Sequence, residues 1–183
     1  MFNIAIISAS IRTQRNSHAV ALYFRHYIEE NKMAEAQILD LKEYNFPLFT
    51  ERLSHLKDPP AEILEFAGRI ERSDGIIIVT PEYNGGYPAS LKNVVDLLYK
   101  EWYMKPVGIA TVSDGIFGGS QVITSLQFVL WKMKAHVITE RFLVPNVRKN
   151  FNENGQPSDK EATDKRAFVF IKELLRCIGE NKK

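Results

Sequence analysis

Residues 75–88 read Gly75-Ile76-Ile77-Ile78-Val79-Thr80-Pro81-Glu82-Tyr83-Asn84-Gly85-Gly86-Tyr87-Pro88. The opening run is almost continuously β-branched and has none of the apolar–polar alternation of a strand with one wet face. Such a strand is buried on both sides, as in a parallel sheet covered by helices. The proline and glycine punctuation that follows ends it in a rigid, sharply turned loop whose backbone can approach a flat ligand. A central strand running into an irregular loop is the first element of the fold.

Outward from this strand, further apolar runs stand near 2–8, 36–41, 106–112 and 136–143. They alternate with segments of helical period at 16–32, 60–72, 89–102, 119–134 and 160–178. The first helix repeats Ala19, Leu22, Tyr23, His26 and Tyr27 on one side, and Ser158 or Asp159 is placed to cap the last. Alternating β–α units predict a five-stranded, doubly wound parallel sheet with helices on both faces; two strand orders are common in such sheets, and 2-1-3-4-5 is favoured here. In that order ligands bind between the first and third strands, outside their carboxyl ends. The loops at 8–17, 80–89 and 113–119 then share one edge.

The 183 residues, 45% hydrophobic and 25% charged, suit one globular domain spanning 1–183. A net charge of +2 without a basic stripe argues against nucleic acid, and Lys182 and Lys183 read as a solvated tail. Cys177 is the only cysteine, which excludes an internal disulfide, and its neighbours have the spacing of a packed helix. No apolar run approaches the ~18 residues of a membrane span. The chain opens directly on strand-like Phe2–Ile7, which predicts no membrane partner and a cytoplasmic location. His18, His26, His55 and His136 lack metal-ligand spacing, and no Gly-x-Ser-x-Gly elbow, Walker loop or Gly-x-Gly-x-x-Gly fingerprint occurs.

The loop after strand 1, Ser8-Ala9-Ser10-Ile11-Arg12-Thr13-Gln14-Arg15-Asn16-Ser17, crowds hydroxyls and guanidiniums onto a strand-to-helix turn. Backbone N–H groups and the positive end of the helix dipole converge there, so the turn suits a phosphate monoester. The bland alternative is a capped helix with arginines in water. One arginine would favour it; Ser10, Arg12, Arg15 and Ser17 together favour phosphate. In the loop after strand 3, Tyr83 and Tyr87 offer aromatic surface, Asn84-Gly85 is a common turn, and Pro88 can simply start a helix. The loop after strand 4, Ser113-Asp114-Gly115-Ile116-Phe117-Gly118-Gly119, is again glycine-rich.

Pro81-Glu82-Tyr83-Asn84-Gly85, then Pro88, then Leu91-Lys92-Asn93-Val94-Val95-Asp96, resembles the signature of the NADPH-dependent FMN reductase family, which includes flavin, quinone, azo-dye and chromate reductases. Ser10-x-Arg12-x-x-Arg15 is similar to that family's phosphate loop, and the likeness continues through Ser113-x-Gly115-x-x-Gly118-Gly119, covering roughly residues 3–143. The resemblance implies a flavodoxin-like fold with FMN as cofactor and NADPH or NADH as co-substrate. Ser10, Arg12, Arg15 and Ser17 would hold the phosphate. Pro81, Glu82, Tyr83, Asn84 and Gly85 would line the flavin ring mostly through backbone atoms, with Ser113 and Gly115 near its pyrimidine edge. It further implies hydride transfer to flavin N5 with no catalytic side chain, delivery of electrons to a flavin, quinone, azo or similar small-molecule acceptor, and a homodimer or homotetramer. Trp102, Tyr103, Phe117 and Trp131 are candidates for the subunit surface, and each could equally be core. The rival is a flavodoxin-type electron carrier that does not oxidise nicotinamide; such carriers are usually strongly acidic, unlike this chain.

Overall fold

The computed structural model describes residues 1–182; Lys183 lies outside the described residues. Five strands, β1 (Asn3–Ser8), β2 (Glu35–Asp40), β3 (Gly75–Pro81), β4 (Pro106–Val112) and β5 (His136–Val144), pair in parallel in the order 2-1-3-4-5. The fully buried Ile76, Ile77, Ile78 and Val79 place β3 at the centre, pairing with β1 and β4. Their unbroken β-branching is explained by that position: successive side chains point to opposite faces and both faces are dry.

Helix α1 (Asn16–Glu30) and the long C-terminal helix cover one face. Ile4, Ile6, Ile77, Val79, Phe24, Phe142 and Phe170 share that core. The buried stripe of α1 is Val20, Tyr23, Phe24, Tyr27 and Ile28, so Leu22 and His26 sit at its margin. A one-turn helix, α2 (Leu41–Tyr44), follows β2 directly. Helices α3 (Ala61–Arg72), α4 (Ala89–Leu97) and α5 (Gln121–Lys132) cover the other face, packing on Ile7, Ile76 and Ile78.

Helix α4 is shorter than its periodicity predicts. Leu98 turns extended (φ −101°, ψ 156°), the Glu101 carboxylate takes the Tyr99 N–H at 3.0 Å, and a 3-10 turn at Lys100–Trp102 carries Trp102 into the core. Trp102 is completely buried and therefore belongs to the core, not to a subunit surface; Tyr103, Phe117 and Trp131 are exposed.

After β5 comes α6 (Val147–Asn150), a turn the apolar pattern does not reveal. The segment then folds back on α1: Phe151 meets Tyr23 edge-on at 5.5 Å. Gly155 (φ +79°) passes so close that a Cβ would lie 2.7 Å from the Ala19 carbonyl oxygen. This stretch therefore braces the outer side of α1. Helix α7 (Lys160–Asn181) is capped by Asp159, which accepts from the Ala162 N–H at 3.0 Å. Cys177 is buried on it as a free thiol.

The end of α7 is anchored. Lys182 pairs with Asp74 at 2.7 Å and lies over the Phe2 ring, while Asn181 Nδ2 donates to the Met104 carbonyl at 2.5 Å. Lys182 is thus a clasp across the amino-terminal end of the sheet, contrary to its reading as a free tail. Burial alone would raise the Asp74 carboxyl, but hydrogen bonds from Lys182 and the Asn3 N–H outweigh it and hold the pKa below its ordinary 3.8. A folded pKa below the unfolded one adds stability that is present above pH ~4 and lost as pH falls through the lowered value. Asp74→Asn is expected to lower stability at pH 7 and to flatten this acid limb, as read by urea melts at a series of pH values; parallel limbs in both proteins would refute the clasp.

Candidate functional site

The ends of β1, β3 and β4 place their three loops on one edge, and side chains join them. Tyr83 OH and Ser10 Oγ are 2.6 Å apart, linking residues 73 positions apart in sequence, and the Arg12 guanidinium lies 5.5 Å from the Tyr83 ring centre. Ser90, in the first turn of α4, donates to the Ala9 carbonyl at 2.6 Å. The Glu82 N–H donates to the Val112 carbonyl at 3.2 Å. A Cβ added to Gly85 would stand 3.3 Å from the Gln121 side chain at the start of α5.

In the loop before α1, Ser10 is fully buried and Ser17 is 3% exposed. Arg15 occupies the N-cap position of α1 with extended backbone and offers no side-chain acceptor to the first N–H groups of the helix. The Ser17 hydroxyl is buried there without a hydrogen-bond partner among the described residues. A buried, unpaired hydroxyl costs about 1–3 kcal/mol, and an acceptor brought by a ligand would remove that cost. Helix N–H groups, the buried Ser17 hydroxyl, Ser10 and the exposed Arg12 make a donor set matched to a phosphate.

Arg15 departs from expectation. Its guanidinium, 13% exposed, donates to both carboxylate oxygens of Asp40, through Nη1 to Oδ1 and through Nη2 to Oδ2 at 2.5 Å. Nη1 also reaches the Ser10 carbonyl at 3.1 Å. Asp40 is 3% exposed and also accepts the Lys42 N–H at 3.0 Å, capping α2. His18 Nδ1 stands 3.0 Å from Ser8 Oγ and 3.5 Å from Asp40 Oδ2. Burial first, then the Arg15 charge, lowers the His18 pKa against the opposing pull of Asp40, so the ring is neutral at pH 7. Asp40, His18 and Ser8 escaped the sequence reading. The signal for Asp40 was available: an acid closing the strand that pairs with β1 must stand beside the β1 loop.

In the loop after β3, Tyr83 and Gly86 exchange two backbone hydrogen bonds at 2.8 and 3.0 Å around Asn84 (φ 51°) and Gly85 (φ 78°). Positive φ at both central residues is the type I′ geometry that Asn-Gly adopts readily, and it leaves Asn84 and Gly85 exposed at the tip. The aromatic rings, expected as ligand surface, have other partners. Tyr83 turns to Ser10 and Arg12, and Tyr87 packs half-buried on the core beneath α4. Pro81 and Glu82 lie half-buried between strand and turn.

In the loop after β4, the Ser113 N–H donates to the Val144 carbonyl, and its own carbonyl accepts from Val147. The Gly115 carbonyl takes the Ser113 hydroxyl at 3.0 Å and the Asn146 N–H at 3.1 Å. Gly118 and Gly119 (φ 62° and 75°) turn the chain into α5, with the Thr111 hydroxyl donating to the Gly118 carbonyl at 2.7 Å. This leaves Ile116 and Phe117 exposed beside the edge. A cleft of about 410 Å³ also opens beside the start of α1, between Thr13–Asn16 and Arg148–Glu153. Among the described residues no cluster of three or more potential metal ligands occurs, and no helix is long and apolar enough to cross a membrane.

Known proteins resemble this chain in sequence and fold. The chain is 35% identical over 148 residues to an NAD(P)H-dependent FMN reductase of Saccharomyces cerevisiae, covering 74% of this chain and 76% of the yeast protein. It is 28% identical over 178 residues to a quinone reductase of Pseudomonas putida, covering 92% and 91%. The flavoenzyme NAD(P)H:(acceptor) oxidoreductase of Paracoccus denitrificans superposes with a TM-score of 0.78 at 20% identity, over 96% of this chain and 98% of the other. That likeness shows the flavodoxin-like fold. The family model for NADPH-dependent FMN reductases matches residues 2–149, the whole sheet together with all three edge loops, and the chain belongs to that family.

Proposed function

We infer that this chain is a flavin-dependent NAD(P)H oxidoreductase that binds FMN at the shared edge and passes electrons to a small-molecule acceptor such as a flavin or quinone. Family membership supports the activity and the cofactor. The observation that fits the cofactor to this chain is the unpartnered Ser17 hydroxyl at the uncapped start of α1, with Arg12 and Ser10 beside it. Once bound, FMN supplies the hydride-accepting and electron-donating chemistry, so no side chain need act as acid or base.

The residues bind and orient. Ser10, Arg12, Ser17 and the first N–H groups of α1 would hold the phosphate. Pro81, Glu82, Tyr83, Asn84 and Gly85 would border the ring through the rigid turn, with Ser113 and Gly115 on the opposite side. Tyr83 would act mainly by tying the ring loop to the phosphate loop. Positioning of this kind contributes several kcal/mol when it brings the reacting atoms to about 3–3.5 Å. The exposed Ile116 and Phe117 next to the edge suit an apolar acceptor or a second subunit, and assembly as a homodimer or homotetramer in the cytoplasm belongs to this proposal.

The test is flavin absorbance of the FMN-loaded protein during anaerobic addition of NADPH or NADH. Rapid bleaching is expected. A bound flavin that stays oxidised with both nucleotides would indicate an electron carrier, and failure to bind flavin would remove the reading altogether.

A further inference from the structure

Two arginines stand in the β1 loop, yet the structure treats them differently. Arg12 is exposed and free to meet an anion; Arg15 is almost buried and engaged on two sides. Both terminal nitrogens of Arg15 face the Asp40 carboxylate, and one also holds the Ser10 carbonyl. Asp40 in turn fixes α2 through the Lys42 N–H, so the end of β2 is tied through it to the β1 loop.

We propose that Asp40 is a positioning residue for flavin phosphate recognition: it holds Arg15 away from the phosphate and makes it a strut that sets the curvature of the β1 loop. This rests on the FMN reading above. The planar guanidinium spans Asp40 and the Ser10 carbonyl in one bidentate geometry, which a lysine cannot reproduce. With the Ser10 carbonyl pulled toward Arg15, the Ser10 hydroxyl is left on the side of Tyr83 and the Arg12 N–H, at 2.6 and 3.5 Å. Carboxylate and guanidinium cancel in charge. Selectivity for a phosphate then rests on Arg12, the Ser17 hydroxyl and the helix N–H groups, while Asp40 and Arg15 hold these donors in register.

The opposite model makes a different prediction. If Arg15 were a phosphate ligand for which Asp40 merely competes, removing the Asp40 charge would free it and strengthen FMN binding. The experiment compares FMN with riboflavin, which lacks the phosphate, by fluorescence titration of the full chain, for wild type, Asp40→Asn, Arg15→Lys and the double variant. The ratio of the two affinities reads the phosphate contribution alone, which a general loss of structure would not move selectively.

Asp40→Asn is expected to weaken FMN by about tenfold or more while changing riboflavin much less. Arg15→Lys should lower the ratio similarly, and the double variant should be no worse than either single one, because both break the same strut. A raised FMN preference in Asp40→Asn, equal losses for both flavins, or additive losses in the double variant would overturn the proposal. Should Asp40→Asn not fold, Arg15→Lys carries the same expectation. A wild type that binds both flavins equally would overturn the phosphate-loop reading and this proposal with it; a wild-type preference for FMN that survives in Asp40→Asn would overturn this proposal alone.

Discussion

Arg12→Ala is expected to weaken FMN binding by about tenfold or more and to leave riboflavin binding nearly unchanged. Arg12 is the one exposed guanidinium of the β1 loop, poised over the Tyr83 ring. A charge-assisted hydrogen bond to phosphate is worth about 1.5–3 kcal/mol, and little of that is lost to reorganisation where the donor is already held. The Tyr83–Ser10 contact at 2.6 Å fixes the ring on which Arg12 rests. Titrations at two salt concentrations check the electrostatic origin: the gap between wild type and variant should narrow as salt rises. If FMN and riboflavin weaken equally, Arg12 supports the loop without touching phosphate.

Arg15→Ala should act on the fold instead. It leaves Asp40, 3% exposed, as a buried carboxylate without its counter-ion. Removing one partner of a buried pair costs about 3–5 kcal/mol, far more than the net worth of the pair, because the survivor remains desolvated. For a chain of this size, that lowers the melting temperature by about 6–20 °C. The decisive comparison is Arg15→Ala against the same change made with Asp40→Asn. Neutralising the stranded carboxylate should restore much of the loss in urea melts. A single variant within about 0.5 kcal/mol of wild type would show that the pair has no structural weight. The two arginine variants thus separate the loss of a direct anion contact from the loss of a strut, three residues apart in one loop.

These different roles mark where the sequence stops being sufficient. Local pattern decided the five strands and the five longer helices, though not the one-turn α2 and α6 or the early end of α4. The unalternated Ile76–Val79 run requires a strand dry on both faces, and the spacing of apolar runs with helical segments leads to a parallel, doubly wound sheet; of its two common strand orders the favoured 2-1-3-4-5 is the one the fold adopts. Asn84-Gly85 fixed its own turn, since both residues tolerate the positive φ that a type I′ hairpin demands. The site's location follows from the same information, because strand order determines which loops meet. The donors of the β1 loop were legible too, as helix start, hydroxyls and guanidiniums are contiguous in the chain.

Partnerships between distant residues were not legible, for a physical reason: one side chain can satisfy itself in several ways, and only the neighbours supplied by the fold select among them. Arg15 reads like Arg12 until β2 sets Asp40 against it, 25 residues away in sequence. Tyr83 reads as a ring for a ligand until Ser10 and Arg12 take it. Trp102 reads equally as surface or core until the break after α4 turns it inward, and Lys182 reads as tail until Asp74 captures it. Periodicity and turn chemistry are properties of consecutive residues, so the sequence determined the elements and the edge where function gathers. Charge pairing and burial depend on what packs alongside, so only the tertiary structure decided which arginine stays exposed and which pairs with Asp40.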